Sequence, residues 1–437
     1  MVIPNNKVSL YNCHGKEKYV KLLLVMYLFA NIFTPPILPK MRLILDFVNC
    51  MFLMIYVIYK RKIIISNELK NSIYPFVPFL LYICFNCFYF VFIEKPDSLQ
   101  SYETISFFKN VFIPIYTWIS VVSLCFILHR LKKENQISVD QFTDYMLIAG
   151  MLQFLCALLA LIFPGVRDLF LQIMSANTDG SVQSSVLGKF DDDRRCYGFA
   201  ANLFDSIGYV TAFLASIAII KAISRGGIKY FVIFLCFVFF NILNTRTGVL
   251  LTLVSLIVTG LYFFRFNAKS IFKYGVIIVA LFVIGVYTIL VLPESNLVWV
   301  ESGWNAVSAL VFDQEATGIF ATLLYLHFNF PKDIVFGDGT MPDNLFFVVS
   351  DIGYINCIWR YGVLGTILLF GGVIYFFIVY YKKQAKKELK CFVLCSMVIF
   401  FIYLIKLFSL YNIGAYAAFI PVFVLGCLDG KYDEDIS

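Results

Sequence analysis

The sequence predicts an all-α polytopic integral membrane protein with about twelve transmembrane helices, and three observations carry that expectation. Hydrophobic residues make up 60% of the chain and charged residues only 14%, against about 25% charged in soluble domains. Mean hydropathy is +0.82. The charges cluster between apolar runs, and each run is close to the ~20 residues that cross a bilayer core as a helix. In hydrocarbon every backbone N–H and C=O must be paired internally, so such runs read as helices.

Taken in order, the first expected span, about 20–38, follows a polar tail and meets Pro35 and Pro36 near its end. No small-residue cleavage site accompanies it, so this span is expected to be retained. The second, about 42–59, closes on the basic run Lys60, Arg61, Lys62. The third is expected at about 73–93, and the fourth at about 110–129, before Arg130, Lys132 and Lys133. The fifth and sixth, about 143–163 and 200–222, flank a long outer loop at about 164–199. The seventh, about 228–243, is short, and the eighth, about 248–264, follows almost at once. The ninth, about 272–292, and the tenth, about 353–380, bracket a second long outer loop at about 293–352. Lys382, Lys383, Lys386 and Lys387 separate the tenth from the eleventh, about 391–409, and the twelfth is about 411–428. With both termini cytoplasmic, most of the 35 Lys and Arg fall inside, as the positive-inside rule requires. Residues 1–437 therefore read as a single membrane domain.

The remaining features are minor. The 12 cysteines lie mostly in apolar runs, where Cys acts as a small hydrophobe; Cys84 and Cys87 sit inside a span and do not read as a zinc or redox pair. Residues 299–330 are apolar at roughly helical spacing with Trp299 and Trp304, which predicts an amphipathic helix pair along the outer surface. The acidic tail reads as a solvated end.

Charge in so apolar a chain needs a local reason. GKFDDDRRCYGFAANLFDS (188–206) runs three aspartates into Arg194 and Arg195, with Asn202 beyond. Two outer arginines oppose the positive-inside bias, and guanidinium forks match phosphate oxygens bidentately. Three consecutive aspartates do not converge easily as metal ligands, and read better as a solvated run. In NTRTG (244–248), Arg246 stands between two apolar spans at the outer boundary, where an ionisable residue is a functional candidate by default. FGDGTMPDN (336–344) contains Asp343 and a glycine pair that predicts a turn, since no strand and helix surround it to make a nucleotide loop. In SDIGYINCIWRYGVLG (350–365), Asp351 is expected at the mouth of the tenth span and Arg360 about two and a half turns deeper. Nine residues apart, they fall on opposite faces of an ideal helix. His327, in the aromatic stretch YLHFNF, reads first as a packed or interfacial histidine. Lys406, near the outer end of the eleventh span, snorkels or faces a cavity.

Together these motifs resemble the bacterial O-antigen polymerases and the related O-antigen ligases. Arg195, Cys196, Tyr197, Gly198 and Asn202 are similar to the ligases' Arg-x-x-Gly stretch closed by an Asn, without the Pro that usually precedes that Asn. Arg246, Thr247 and Gly248 are similar to the family's Arg near the same interface. Ligases carry a His-Asn pair eleven residues before a Gly-x-x-Gly; here that offset from Gly362 lands on Asp351, which points to polymerase.

The resemblance implies a C-type membrane glycosyltransferase fold in the bacterial inner membrane, with both long loops and the active face periplasmic. Its activity would join repeat units carried on undecaprenyl diphosphate, with no metal, nucleotide or other cofactor and no nucleic-acid partner. The expected partners are the lipid-linked repeat units, membrane lipid and a chain-length regulator. Arg194, Arg195, Arg246 and Arg360 are the cations available for the diphosphate, with Asn202 beside them. Asp351 is the first candidate for the base at the acceptor hydroxyl, followed by His327 and Asp343. The alternatives are an O-antigen ligase and a lipid-linked oligosaccharide flippase or other transporter.

Overall fold

The computed structural model describes residues 7–60, 74–89, 101–177, 198–200, 205–264, 279, 283, 330–331, 333–337, 352–405 and 413–434. Among them every regular element is helical. In chain order they are α1 (Lys7–Phe33), α2 (Met41–Lys60), α3 (Val77–Phe88, entered through a 3₁₀ turn at Tyr74–Phe76), α4 (Ser101–Glu134), α5 (Val139–Ile162) and α6 (Pro164–Asn177). There follow α7 (Asp205–Arg225), α8 (Ile228–Asn244), α9 (Arg246–Phe263), α10 (Gly353–Lys383), α11 (Lys387–Tyr403) and α12 (Ile413–Glu434). Among the described residues, four stretches are long and apolar enough to cross a membrane: Pro114–Glu134, Val139–Ile162, Ser206–Arg225 and Gly353–Lys383. Shorter apolar helices, among them Ile228–Asn244 and Thr247–Phe263, pack around them.

Local chemistry accounts for the boundaries. α1 stops at Phe33, just before Pro35. Ser138 and Gln141 form a reciprocal capping box that starts α5. Phe163 is extended, and Pro164 then opens α6, the position where its missing N–H costs nothing. The structure thus places a helix inside the expected loop at 164–199. Asn177, at its end, donates from Nδ2 to the Pro36 carbonyl at 3.0 Å, which ties α6 to the turn between α1 and α2.

α7 is the central helix, buried at every position from Ile207 to Ala222. Its Ala212, Ala215, Ser216, Ala218 and Ala222 are small and buried, which lets α8, α9, α11 and α12 approach closely. Lipid tails are as apolar as Leu, so packing of this kind holds membrane helices together.

The tenth expected span departs from a single helix. Gly362 breaks α10 with φ 66° and ψ 179°. The Tyr354 and Phe370 rings lie 5.3 Å apart, whereas sixteen residues of continuous helix would separate them by about 24 Å. The arm 353–361 therefore folds back along the arm 363–383. The second arm alone is ~31 Å long, enough to cross a bilayer core by itself. The first arm is a short re-entrant helix held inside the bundle, where Tyr354 donates its N–H to the Leu404 carbonyl and its hydroxyl to the Phe401 carbonyl at 2.9 Å. Other spans shift by a few residues. α11 ends at Tyr403, leaving Lys406 outside the described residues, and of the ninth span only residues 279 and 283 are described, both helical.

The bundle has two distinct ends. The short turns before α5, α8 and α11 share a basic end, joined by ion pairs from Asp140 to Arg225 and Lys386. The turns at 34–40 and Thr245, the α5–α6 joint and the Gly362 break share the opposite end.

Candidate functional site

At the opposite end, α8 and α9 reverse through one residue. Asn244 closes α8, Thr245 is extended at φ −155° and ψ 129°, and Arg246 is the first residue of α9. The Thr245 hydroxyl accepts the Gly248 N–H at 2.9 Å, a conventional cap. Arg246 is therefore part of a helix N-terminus, where first-turn N–H groups and the helix dipole favour an anion. Its side chain lies outside the described residues.

A closed polar network holds this turn from below. Asn241 is fully buried: its Oδ1 accepts from the Thr211 hydroxyl at 2.5 Å, and its Nδ2 donates to Thr252 Oγ1 at 2.8 Å and to the Gly248 carbonyl at 3.3 Å. One helical turn closer to the end, Asn244 donates from Nδ2 to the Phe240 carbonyl at 2.8 Å. Its Oδ1, on a residue only 3% exposed, meets no hydrogen-bond partner among the described residues.

The second feature is the apex of the α10 hairpin. The first N–H groups of the second arm, at Val363 and Leu364, donate to the Ile334 and Val335 carbonyls at 2.8 and 3.3 Å. A helix start that would otherwise leave orphan donors is thus capped by the turn 333–337. Asp333 shapes that turn by accepting the Val335 and Phe336 N–H groups on Oδ1. Asn86 of α3 donates to the Phe336 carbonyl at 3.0 Å, and Tyr82 to the Tyr361 carbonyl at 2.9 Å. Gly337 has φ 78°, and a side chain there would stand 2.8 Å from the Trp359 carbonyl oxygen. A side chain at Gly362 would come closer still to the Val335 carbonyl oxygen. The two glycine motifs predicted as separate features therefore meet backbone to backbone.

This geometry corrects one expectation and refines another. Arg360, half-buried, is two residues from the hairpin apex, in the short arm 353–361 rather than part-way along one continuous spanning helix. α10 begins at Gly353 with extended Ile352 as its N-cap, so Asp351 stands one residue outside the cap. The opposite-face relation between Asp351 and Arg360 has no continuous helix to rest on. Asp351, Arg194, Arg195, Asn202, His327 and Asp343 lie outside the described residues. Of the expected set, the structure describes the Arg360 side chain and the Arg246 backbone.

A polar cluster missed by the sequence reading lies between α1, α2 and α4. Arg42 grips Asp46 through Nε at 3.0 Å and Nη2 at 2.6 Å, and Nη1 donates to the Asn31 carbonyl at 2.7 Å. Tyr116 donates to Asp46 at 2.5 Å, and Tyr27, Asn49 and Asn31 continue the chain. Asp46, Asn31 and Asn49 are fully buried. The available signal was an Arg and an Asp four residues apart within an apolar run. With Asp46 bound by three donors, the cluster reads as a staple between three helices.

The basic end carries a different arrangement. Lys221 is buried and donates to Asp144 at 2.5 Å and to the Asp140 carbonyl at 2.8 Å. Tyr230 donates to Asp144 at 3.0 Å, while Arg225 pairs with Asp140 at 2.6 Å. With the Lys386–Asp140 pair, these bonds tie α5, α7, α8 and the turn before α11 together. Among the described residues no three His, Cys, Asp or Glu side chains converge as metal ligands. Comparison with protein-family models, with curated proteins and with solved structures gives no match.

Proposed function

We propose that the chain is a membrane glycosyltransferase of the O-antigen polymerase kind, with about twelve spans, cytoplasmic termini and a periplasmic active face. The observation that carries the reading is the one-residue α8–α9 reversal, which makes Arg246 the N-terminal residue of a helix at the end opposite the basic turns. A helix N-terminus and a guanidinium at one membrane boundary suit a lipid diphosphate that arrives sideways through the bilayer. Arg360 beside the hairpin apex, with Arg194 and Arg195, would complete the cationic set.

In this reading the acceptor hydroxyl oxygen attacks the anomeric carbon of the growing chain. The bond from that carbon to the diphosphate oxygen breaks, and undecaprenyl diphosphate leaves with its charge stabilised by the arginines. The hydroxyl proton passes to the Asp351 carboxylate, with Asp343 and His327 as the next candidates. A transporter would need charge accessible from both sides. The ion-paired basic end favours chemistry on one side only.

Deleting the gene and separating the surface glycan on a gel tests this. Single repeat units on lipid A support a polymerase. Lipid A bare of units indicates a ligase, and units trapped on the cytoplasmic face indicate a flippase.

A further inference from the structure

Asn241 and Asn244 are the same side chain on the same helix, one turn apart, yet only Asn241 has every polar atom engaged. The Nδ2 of Asn244 is committed to the Phe240 carbonyl, which orients the carboxamide and leaves Oδ1 as the acceptor without a partner among the described residues. At 3% exposure, water does not satisfy it freely, and a buried acceptor left unmatched is costly enough to need an explanation. Asn244 is also two residues from Arg246, a Cα separation of about 7 Å at most.

We infer that Asn244 Oδ1 accepts a hydrogen bond from the glycan of the lipid-linked substrate, close to its diphosphate, and so sets specificity for the glycosylated lipid. This deepens the lipid-diphosphate reading above and rests on it. Chemistry selects the donor. A carboxamide oxygen accepts hydrogen bonds and makes none, diphosphate oxygens only accept at neutral pH, and an isoprenoid tail does neither. Of the three parts of such a substrate, only the sugar supplies O–H or N–H groups. Asn244 would then separate glycan-bearing from bare carrier lipid, while Arg246 holds the part they share.

The test uses the full chain in lipid nanodiscs. It is titrated with undecaprenyl diphosphate and with the glycan-bearing lipid extracted from a strain lacking the protein. Asn244→Leu should weaken binding of the glycan-bearing lipid about tenfold, the size of one neutral hydrogen bond, and leave the bare diphosphate unchanged. Equal weakening of both lipids, or unchanged preference for the glycan, overturns the inference. Failure of the wild-type chain to bind either lipid overturns the lipid-diphosphate reading itself. Thermal unfolding provides the fold control. Asn241→Leu should lower Tm because it breaks a closed network, whereas Asn244→Leu should lower it less, because it gives up only the Nδ2 bond to the Phe240 carbonyl. An equal drop for both would mean that Asn244 Oδ1 is also bonded within the chain, which also overturns the inference.

Discussion

The two ends of the bundle solve different problems with similar residues. At the basic end, Lys221, Arg225 and Lys386 are each matched to Asp140 or Asp144, and the helices are joined by turns of a few residues. At the opposite end, α10 doubles back at Gly362, a turn from elsewhere in the chain caps it, and Asn244 Oδ1 has no hydrogen-bond partner among the described residues. The lesson is one of charge balance. Cations with carboxylate partners hold helices together, whereas Arg246 at a helix start is placed where negative charge from outside the chain is favoured. Arg42 and Asp46 show that position alone does not decide: though close to that end, they are matched like the basic cluster.

This contrast predicts that changes to the basic cluster lower stability and spare chemistry, while loss of the proposed chemical groups Asp351 and Arg246 does the reverse. The largest effect is expected for Asp351→Asn, which removes the proposed base; rate should fall ~10²–10⁴-fold, with chains of one or a few units and normal protein levels. Wild-type chain lengths would remove Asp351 from the mechanism. Arg246→Ala should nearly abolish polymerisation with the protein still in the membrane, and Arg246→Lys should restore it only partly, since Lys keeps the charge but loses the fork. Full-length glycan in the Ala strain would remove Arg246 from the proposed diphosphate site.

Gly362→Val probes the fold at the same end. A β-branched residue at positive φ against the Val335 carbonyl should cost about 3 kcal/mol or more, seen as a fall in Tm and in membrane-inserted protein. Lys221→Met should cost about 2 kcal/mol by leaving Asp144 with the Tyr230 hydroxyl but no cation, less than for a fully buried pair because Asp144 is 34% exposed. Its glycan ladder should keep wild-type lengths. Smallest is Arg225→Gln: the Arg225–Asp140 pair is over a third exposed, so less than ~1 kcal/mol should be lost, and the difference should vanish in high salt.

How much of this was legible beforehand differs between elements for physical reasons. Pro35 marked the end of α1, and Asn244 to Gly248 a turn between two spans, because each acts on backbone within four residues of itself; the Ser138–Gln141 capping box that starts α5 went unread, and the span was expected some four residues later. The helix α6 was hidden because its 14 residues are too short for a span and its apolar face only partly filled. The Arg42–Asp46–Tyr116 cluster was hidden because Tyr116 lies 70 residues from its partner.

By itself, then, the sequence determined that the chain is a helical membrane protein and the approximate place of several of its helices. Those outcomes depend on hydrophobicity summed along the chain and on capping between near neighbours. Only the tertiary structure decided that α10 is a hairpin. Summed hydrophobicity is the same whether the chain continues or turns back at Gly362. What makes the reversal stable is a set of carbonyls at Ile334 and Val335, brought from upstream to satisfy the N–H groups that a new helix start exposes. That pairing is a property of distant segments in contact, and Arg360 stands beside the apex because of it.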